Sequence, residues 1–440
     1  MSAVDRGAGE RDGGSRRRST FGYVVTPSIL YGNADPNKWA TLDVYSGFRR
    51  RHSKEHVKPY LPRSLVESTP KPKGPCALLW RTLQAPVLLA LVGVLSALVS
   101  ISISYMIKVD FQVRNLWLQN LNGTWQPLLG YAAASSVLAA LACAATHAIC
   151  PEAAGSGVPE MRVVLSGALK PVLLQPRMLV AKACGLVLSL LAGLSVGKEG
   201  PFIHIACVVA DMCLKFKPFK RVADRDSKRL DILMCACAAG VAATFGTPFG
   251  GVLFSIEVVT NAYFTKNLAR AAFCATSGAI VYAIFGVEDS MALFSDNDAA
   301  FEGLPASDLL LFALVGVLSG AFGALFTTAV EWLTAQKLKF LNPSGRGLTS
   351  LESLGRKLLI TVLGAMLVAA PTYYDITLGI YGESRTITDS LFRDETLGLH
   401  WSLLLFPVFK VFVTLVSVVL PLPVGLFTPV FITGAAFGRI

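Results

Sequence analysis

Apolar and polar positions along the chain separate into long blocks rather than the short alternations of a soluble domain. No charged residue occurs from Leu83 to Ile107, from Ile232 to Ile256, from Leu309 to Val330, or from Val411 to Gly438. A helix rises about 1.5 Å per residue, so about 20 apolar residues cross a hydrocarbon core of about 30 Å. These four stretches, with weaker ones at Tyr131–Cys150, Met178–Val196, Ala271–Val287 and Leu358–Thr372, predict an all-α protein that crosses a bilayer many times. The polar stretch Glu288–Asp308 divides the apolar part into a first block, about 83–287, and a second, about 309–440. Two blocks of similar hydropathy suggest an inverted repeat, an arrangement common among transporters.

Many of the spans are not clean cylinders. Glycine and proline interrupt them at Gly155–Pro159, Gly197–Pro201, Thr247–Gly251 and Pro421–Pro429. Irregular backbone at membrane depth is tolerated only where it is enclosed by protein or lines a cavity. The breaks are therefore the places to look for function. Three share one design: Gly155-Ser156-Gly157-Val158-Pro159, Gly197-Lys198-Glu199-Gly200-Pro201 and Gly425-Leu426-Phe427-Thr428-Pro429. Each places glycine in a tight loop ahead of a proline, and proline is favoured at the first helical position. Pro159, Pro201 and Pro429 thus mark three predicted helix starts.

A helix start exposes unpaired N–H donors and about half a unit of positive charge. Several of them converging make an anion site without a full cation. Partial charges let an ion enter and leave, whereas a buried Lys or Arg would hold it too tightly. Glu199 sits in the second break. Ionised, its carboxylate is a tethered competitor for an anion; neutralised or swung out, it leaves the path open.

Composition and charge narrow the class further. The 440 residues are 53% apolar and only 16% charged, against roughly 25% in soluble domains. Residues 1–82 hold 15 Lys/Arg and 7 Asp/Glu, so the positive-inside rule keeps this tail in the cytoplasm. Its Arg/Ser/Gly/Pro content predicts a largely disordered segment, and no apolar core near Met1 marks a cleavable signal. A basic tail can serve nucleic acids, but this one leads directly into a spanning helix, and nucleic acid is not an expected partner. The loop Lys215–Arg229, with seven basic and two acidic residues, is assigned to the same side. The nine cysteines show no zinc spacing, and neither metal nor cofactor is expected. Asn122-Gly123-Thr124 is a glycosylation sequon that this topology places outside or in a lumen.

The three breaks resemble the selectivity-filter segments of CLC chloride channels and transporters, G-S-G-I-P, G-K/R-E-G-P and G-x-F-x-P. The likeness continues through Gly197–Ala206, Gly251–Val258 and Pro429–Arg439 and covers the chain from residue 83 to its end. It implies a CLC-type inverted-repeat bundle of tilted and broken helices over 83–440, a homodimer with one pore per subunit, and chloride as the transported ion. By the resemblance, Gly155, Ser156, Gly157, Gly197, Gly200, Gly425, Leu426 and Phe427 line the anion sites, and Glu199 is the gate. Ser156, rather than proline, implies chloride over nitrate. Family exchangers usually carry a second, inward glutamate directly after the F-x-I-E segment. Here Phe254-Ser255-Ile256-Glu257 is followed by Val258, which cannot carry a proton. The expectation is a voltage- or pH-gated channel, closer to the plasma-membrane branch, with chloride/proton exchange as the alternative. The family also implies further helices after the third motif, a tyrosine completing the inner site, and regulatory domains. The sequence stops at Ile440, so an incomplete membrane domain, or a non-conducting subunit that modifies a longer one, is a further expectation.

Enzymatic readings fare worse. Gly193-Leu194-Ser195-Val196-Gly197 matches G-x-S-x-G, but lacks the strand–turn–helix setting of a hydrolase nucleophile. The same stretch fails as a phosphate loop, because Glu199 follows Lys198 where Ser or Thr is needed. No enzymatic activity is expected.

Overall fold

The computed structural model describes residues 75–119, 125–166, 170–223, 226–259, 267–285, 308–341, 350–377, 391 and 401–439. All of them belong to one compact unit, Pro59–Ile440. The tail up to residue 74, the sequon and most of the polar divider lie outside the described residues.

The uncharged stretches become helices. The principal ones are α1 (Pro75–Gln119), α2 (Gln126–Ile149), α3 (Val158–Leu165), α4 (Pro176–Leu191), α5 (Glu199–Leu214), α6 (Asp226–Phe245), α7 (Pro248–Phe254), α8 (Leu268–Ile284), α9 (Asp308–Leu341), α10 (Ser350–Thr377), α11 (Trp401–Val419) and α12 (Phe427–Arg439). Four stretches are long and apolar enough to cross a membrane: Thr82–Arg114, Gln126–Ile149, Leu310–Leu341 and Glu352–Tyr373. This is an all-helical membrane fold.

Helix α5 forms the centre. Every residue from Pro201 to Asp211 is buried, as expected of a helix that is apolar on all sides. It packs along α6 and also meets α1, α3 and α4. Gly240 on α6 allows the close approach, since a Cβ there would lie 2.9 Å from that of Ala206 and 3.2 Å from the Phe202 carbonyl oxygen. Around this core, α10 packs on α2 and α8 on α1 and α6. Helix α9 is different. None of its most apolar window is buried, so it presents apolar surface suited to lipid.

Two expected spans are not single cylinders. The stretch Ile232–Ile256 divides at Gly246, which takes φ +72°. Thr247 then caps α7 by accepting from the Gly250 N–H at 3.2 Å, and α7 widens into a π-turn at Ser255–Val259. The stretch Val411–Gly438 divides likewise, with α11 ending at Val419 and α12 beginning at Phe427. Prolines 421 and 423 lie between them, where each lacks the N–H a continuous helix needs. Each stretch therefore supplies two helices instead of one.

Candidate anion site

The three breaks meet, and backbone hydrogen bonds hold them together. The Gly155 N–H donates to the Leu422 carbonyl at 2.8 Å. Gly197 and Gly425 exchange bonds as an isolated antiparallel bridge, at 2.8 and 3.0 Å. Glycine is required at this crossing. A Cβ on Gly425 would sit 2.7 Å from the Gly197 carbonyl oxygen and 3.2 Å from Pro201 Cδ. The first break is turned by left-handed glycines, Gly155 at φ +92° and Gly157 at φ +85°, a region that only glycine visits freely. A side chain on Gly157 would also strike His204 and Lys182.

Each break leads into a helix whose first turn is free of intrahelical acceptors. The first N–H groups to bond back are those of Met161 to Gly157, Phe202 to Lys198 and Val430 to Leu426, at 3.0, 3.0 and 3.2 Å. The prolines do not occupy the first helical position as the sequence suggested. Pro159 is second in α3, while Pro201 and Pro429 are third in α5 and α12. Any place in the first turn suits proline, because none of those N–H groups has an intrahelical partner to lose.

A second correction concerns the donors. The N–H groups of Gly155, Gly197 and Gly425 are engaged in bonds between the breaks, so these glycines fasten the breaks rather than offer donors. Gly200 and Phe427 lie in first-turn positions, and Leu426 immediately before α12, all ahead of the bonded N–H groups. Ser156 adjoins Gly200 closely: a Cβ on Gly200 would lie 2.8 Å from Ser156 Oγ. The Ser156 hydroxyl accepts from the Val158 N–H at 3.3 Å, which leaves its own hydrogen to be donated.

Glu199 is buried, with 4% of its surface exposed. The Thr428 hydroxyl donates to its Oε1, while Oε2 is buried without a hydrogen-bond partner. A buried carboxylate oxygen without a donor is costly, so this side chain is held in an incompletely satisfied position. The Phe427 ring packs edge-on against Phe245 at 4.7 Å and Phe254 at 6.4 Å, and stacks with Phe431 at 6.1 Å. It thereby joins α12 to the ends of α6 and α7.

Two residues of the site escaped sequence reasoning. Thr428 lies inside the third motif, but its partnership with Glu199 joins positions 229 apart. Lys182, on α4, is buried beneath the first break and donates to the carbonyls of Ala153 and Gly155 at 3.0 and 3.1 Å. A single cation within the apolar stretch Met178–Val196 was the available signal. A lysine does lie behind the break, then, and its amino group is directed to carbonyl oxygens. Ser195 is likewise structural: its hydroxyl pairs with that of Thr414 at 2.8 Å and its N–H with Ser417 at 3.1 Å. His204 bonds the Leu173 carbonyl instead.

Comparisons with known proteins place the chain in a family. A family model described as voltage gated chloride channel matches residues 137–440. The chain belongs to the CLC family. Chloride channel protein F of Dictyostelium discoideum is 34% identical over 80% of this chain and 45% of its own length. Chloride channel protein 2 of Drosophila melanogaster is 30% identical over 96% of this chain and 38% of its own. This CLC chain thus spans less than half the length of these curated relatives. A eukaryotic CLC transporter structure aligns with a TM-score of 0.65 and 30% identity, over 82% of this chain and 60% of the other. A slow cyanobacterial Cl−/H+ antiporter shares the fold, with a TM-score of 0.67 and 21% identity over 81% and 79% of the two chains. The CLC chain is an integral membrane protein of a family of channels and transporters. Its Val258 falls on the π-turn after α7 and is 38% exposed.

Proposed function

We propose that the protein conducts chloride passively, as a channel gated by Glu199, from the plasma membrane and as a homodimer with one pore per subunit. The observation that carries the reading is the meeting of three helix-start breaks around a buried, half-satisfied carboxylate. In this reading the N–H groups of Gly200, Leu426 and Phe427, with the Ser156 hydroxyl, hold a bare halide, and the Glu199 carboxylate competes for the same ground. Partial charges suit a permeant ion, because they bind it without trapping it. Val258 favours conduction over exchange: a valine on the inward side of the pathway has no proton to pass.

The test is the reversal potential of chloride current through the full chain under a proton gradient at fixed chloride. A channel gives a reversal potential independent of the proton gradient. A shift with the gradient would assign coupled exchange instead, and the channel reading would fall.

A further inference from the structure

The turn between α5 and α6 carries charge and apolar surface that the anion site does not use. It lies beside the first described residues of α1. The Gln84 side-chain amide donates to the Pro218 carbonyl, and the Trp80 ring lies 6.3 Å from that of Phe219. Phe219 and Val222 are buried beneath the turn and anchor it. Above them, Lys215, Phe216, Lys217 and Lys220 are exposed, as are Leu79 and Trp80. Phe216 is 58% exposed, whereas Phe219 is buried.

Nearby cations are neutralised within the protein. Buried Asp211 takes Arg229 and Lys215, the latter at 3.0 Å, while Asp231 takes Arg270 at 3.5 Å. Lys217 and Lys220 have no acidic partner among the described residues. Lys217 and Lys220, with no carboxylate against them among the described residues, are flanked by an exposed phenylalanine, a tryptophan and a leucine and form a surface with two chemistries. The charge calls for an anion and the rings call for acyl chain or glycerol backbone. An anionic phospholipid supplies both, at the depth where aromatic residues settle in a bilayer interface. A soluble phosphate would satisfy the lysines and leave the rings in water.

We infer that Lys217, Lys220, Phe216 and Trp80 form a binding site for the headgroup and upper chains of an anionic phospholipid. It stands apart from the anion site, and its test does not involve ion flux. The full chain is reconstituted in phosphatidylcholine vesicles containing a fixed fraction of brominated phosphatidylserine or, in parallel, of brominated phosphatidylcholine. Bromine quenches tryptophan emission on contact, and Trp80 is the reporter within the site. The anionic lipid is expected to quench more than the zwitterionic one. The derived preference should fall about fivefold with each of Lys217→Gln and Lys220→Gln. Trp80→Phe should abolish the excess while phosphatidylcholine quenching of the other tryptophans persists, which confirms that the variant is inserted. Equal quenching by the two lipids in the unmodified protein would overturn the inference. So would an excess indifferent to both lysine replacements, or one removed as well by soluble inositol hexakisphosphate as by unlabelled phosphatidylserine.

Discussion

Replacing Thr428 by valine removes one hydroxyl and conserves shape, and it is the sharpest probe of the proposed gate. Thr428 and Glu199 are both buried, and Thr428 donates the hydrogen bond that Glu199 Oε1 receives. Its other oxygen has no partner, so Thr428→Val leaves the docked carboxylate with neither oxygen satisfied by the protein. A hydrogen bond to a charged group contributes about 1.5–3 kcal/mol. The docked-to-released equilibrium should therefore shift about 10- to 150-fold towards release. If release moves one elementary charge through the whole field, at about 2.3 kcal/mol per 100 mV, the equivalent shift in half-activation is roughly 65–130 mV. The direction is towards opening. Tail-current analysis in cells expressing the full chain measures it, and Thr428→Ser, which keeps the hydroxyl, should lie close to the unmodified protein. A Thr428→Val channel that activates within a few millivolts of the unmodified one would refute the idea that this bond holds the gate.

Glu199→Gln removes the charge that competes with the anion, so current–voltage ramps at two pH values should show conduction with most of its voltage and pH dependence lost; unaltered gating would exclude Glu199 as the gate. Gly425→Ala forces a Cβ to within 2.7 Å of the Gly197 carbonyl oxygen. Overpacking of about 1–3 kcal/mol and the loss of two bridge bonds of about 1 kcal/mol each should lower Tm by several degrees. Thermal unfolding in detergent checks this, and an unchanged Tm would contradict the bridge. Ser156→Pro removes a hydroxyl beside the Gly200 backbone and should raise nitrate permeability relative to chloride, read from reversal potentials under bi-ionic conditions. Unchanged selectivity would argue against Ser156 as an ion ligand.

The architecture was largely legible before any coordinates. Charge-free runs such as Leu309–Val330 dictate helices because a bilayer core leaves the backbone no partner but itself. Gly–Pro clusters named the breaks, since glycine alone takes the left-handed turns at 155 and 157 and proline refuses a helix interior. What the sequence left open is which donors remain once the breaks meet. Gly197 and Gly200 look alike in the motif, yet Gly197 is bound to Gly425 and Gly200 faces Ser156. Gly197 finds its partner more than 200 residues away, as Glu199 does in Thr428, 229 residues further on. Lys182 was visible as an odd charge but not as a brace, because its partners are carbonyl oxygens that every residue type carries.

The Gly197–Gly425 crossing also bears on assembly. Joining segments this far apart demands a large loop-closure entropy before any contact repays it. During synthesis the first block reaches the bilayer with its acidic side chain and open helix start still lacking their counterparts. Until the stretch around Gly425 arrives, that carboxylate lacks the Thr428 hydroxyl that holds it, so the hub of the bundle matures late. Lesions near residue 425 would then be read by the cell first as failures of biogenesis, with less protein reaching its membrane, and only afterwards as altered ion flow.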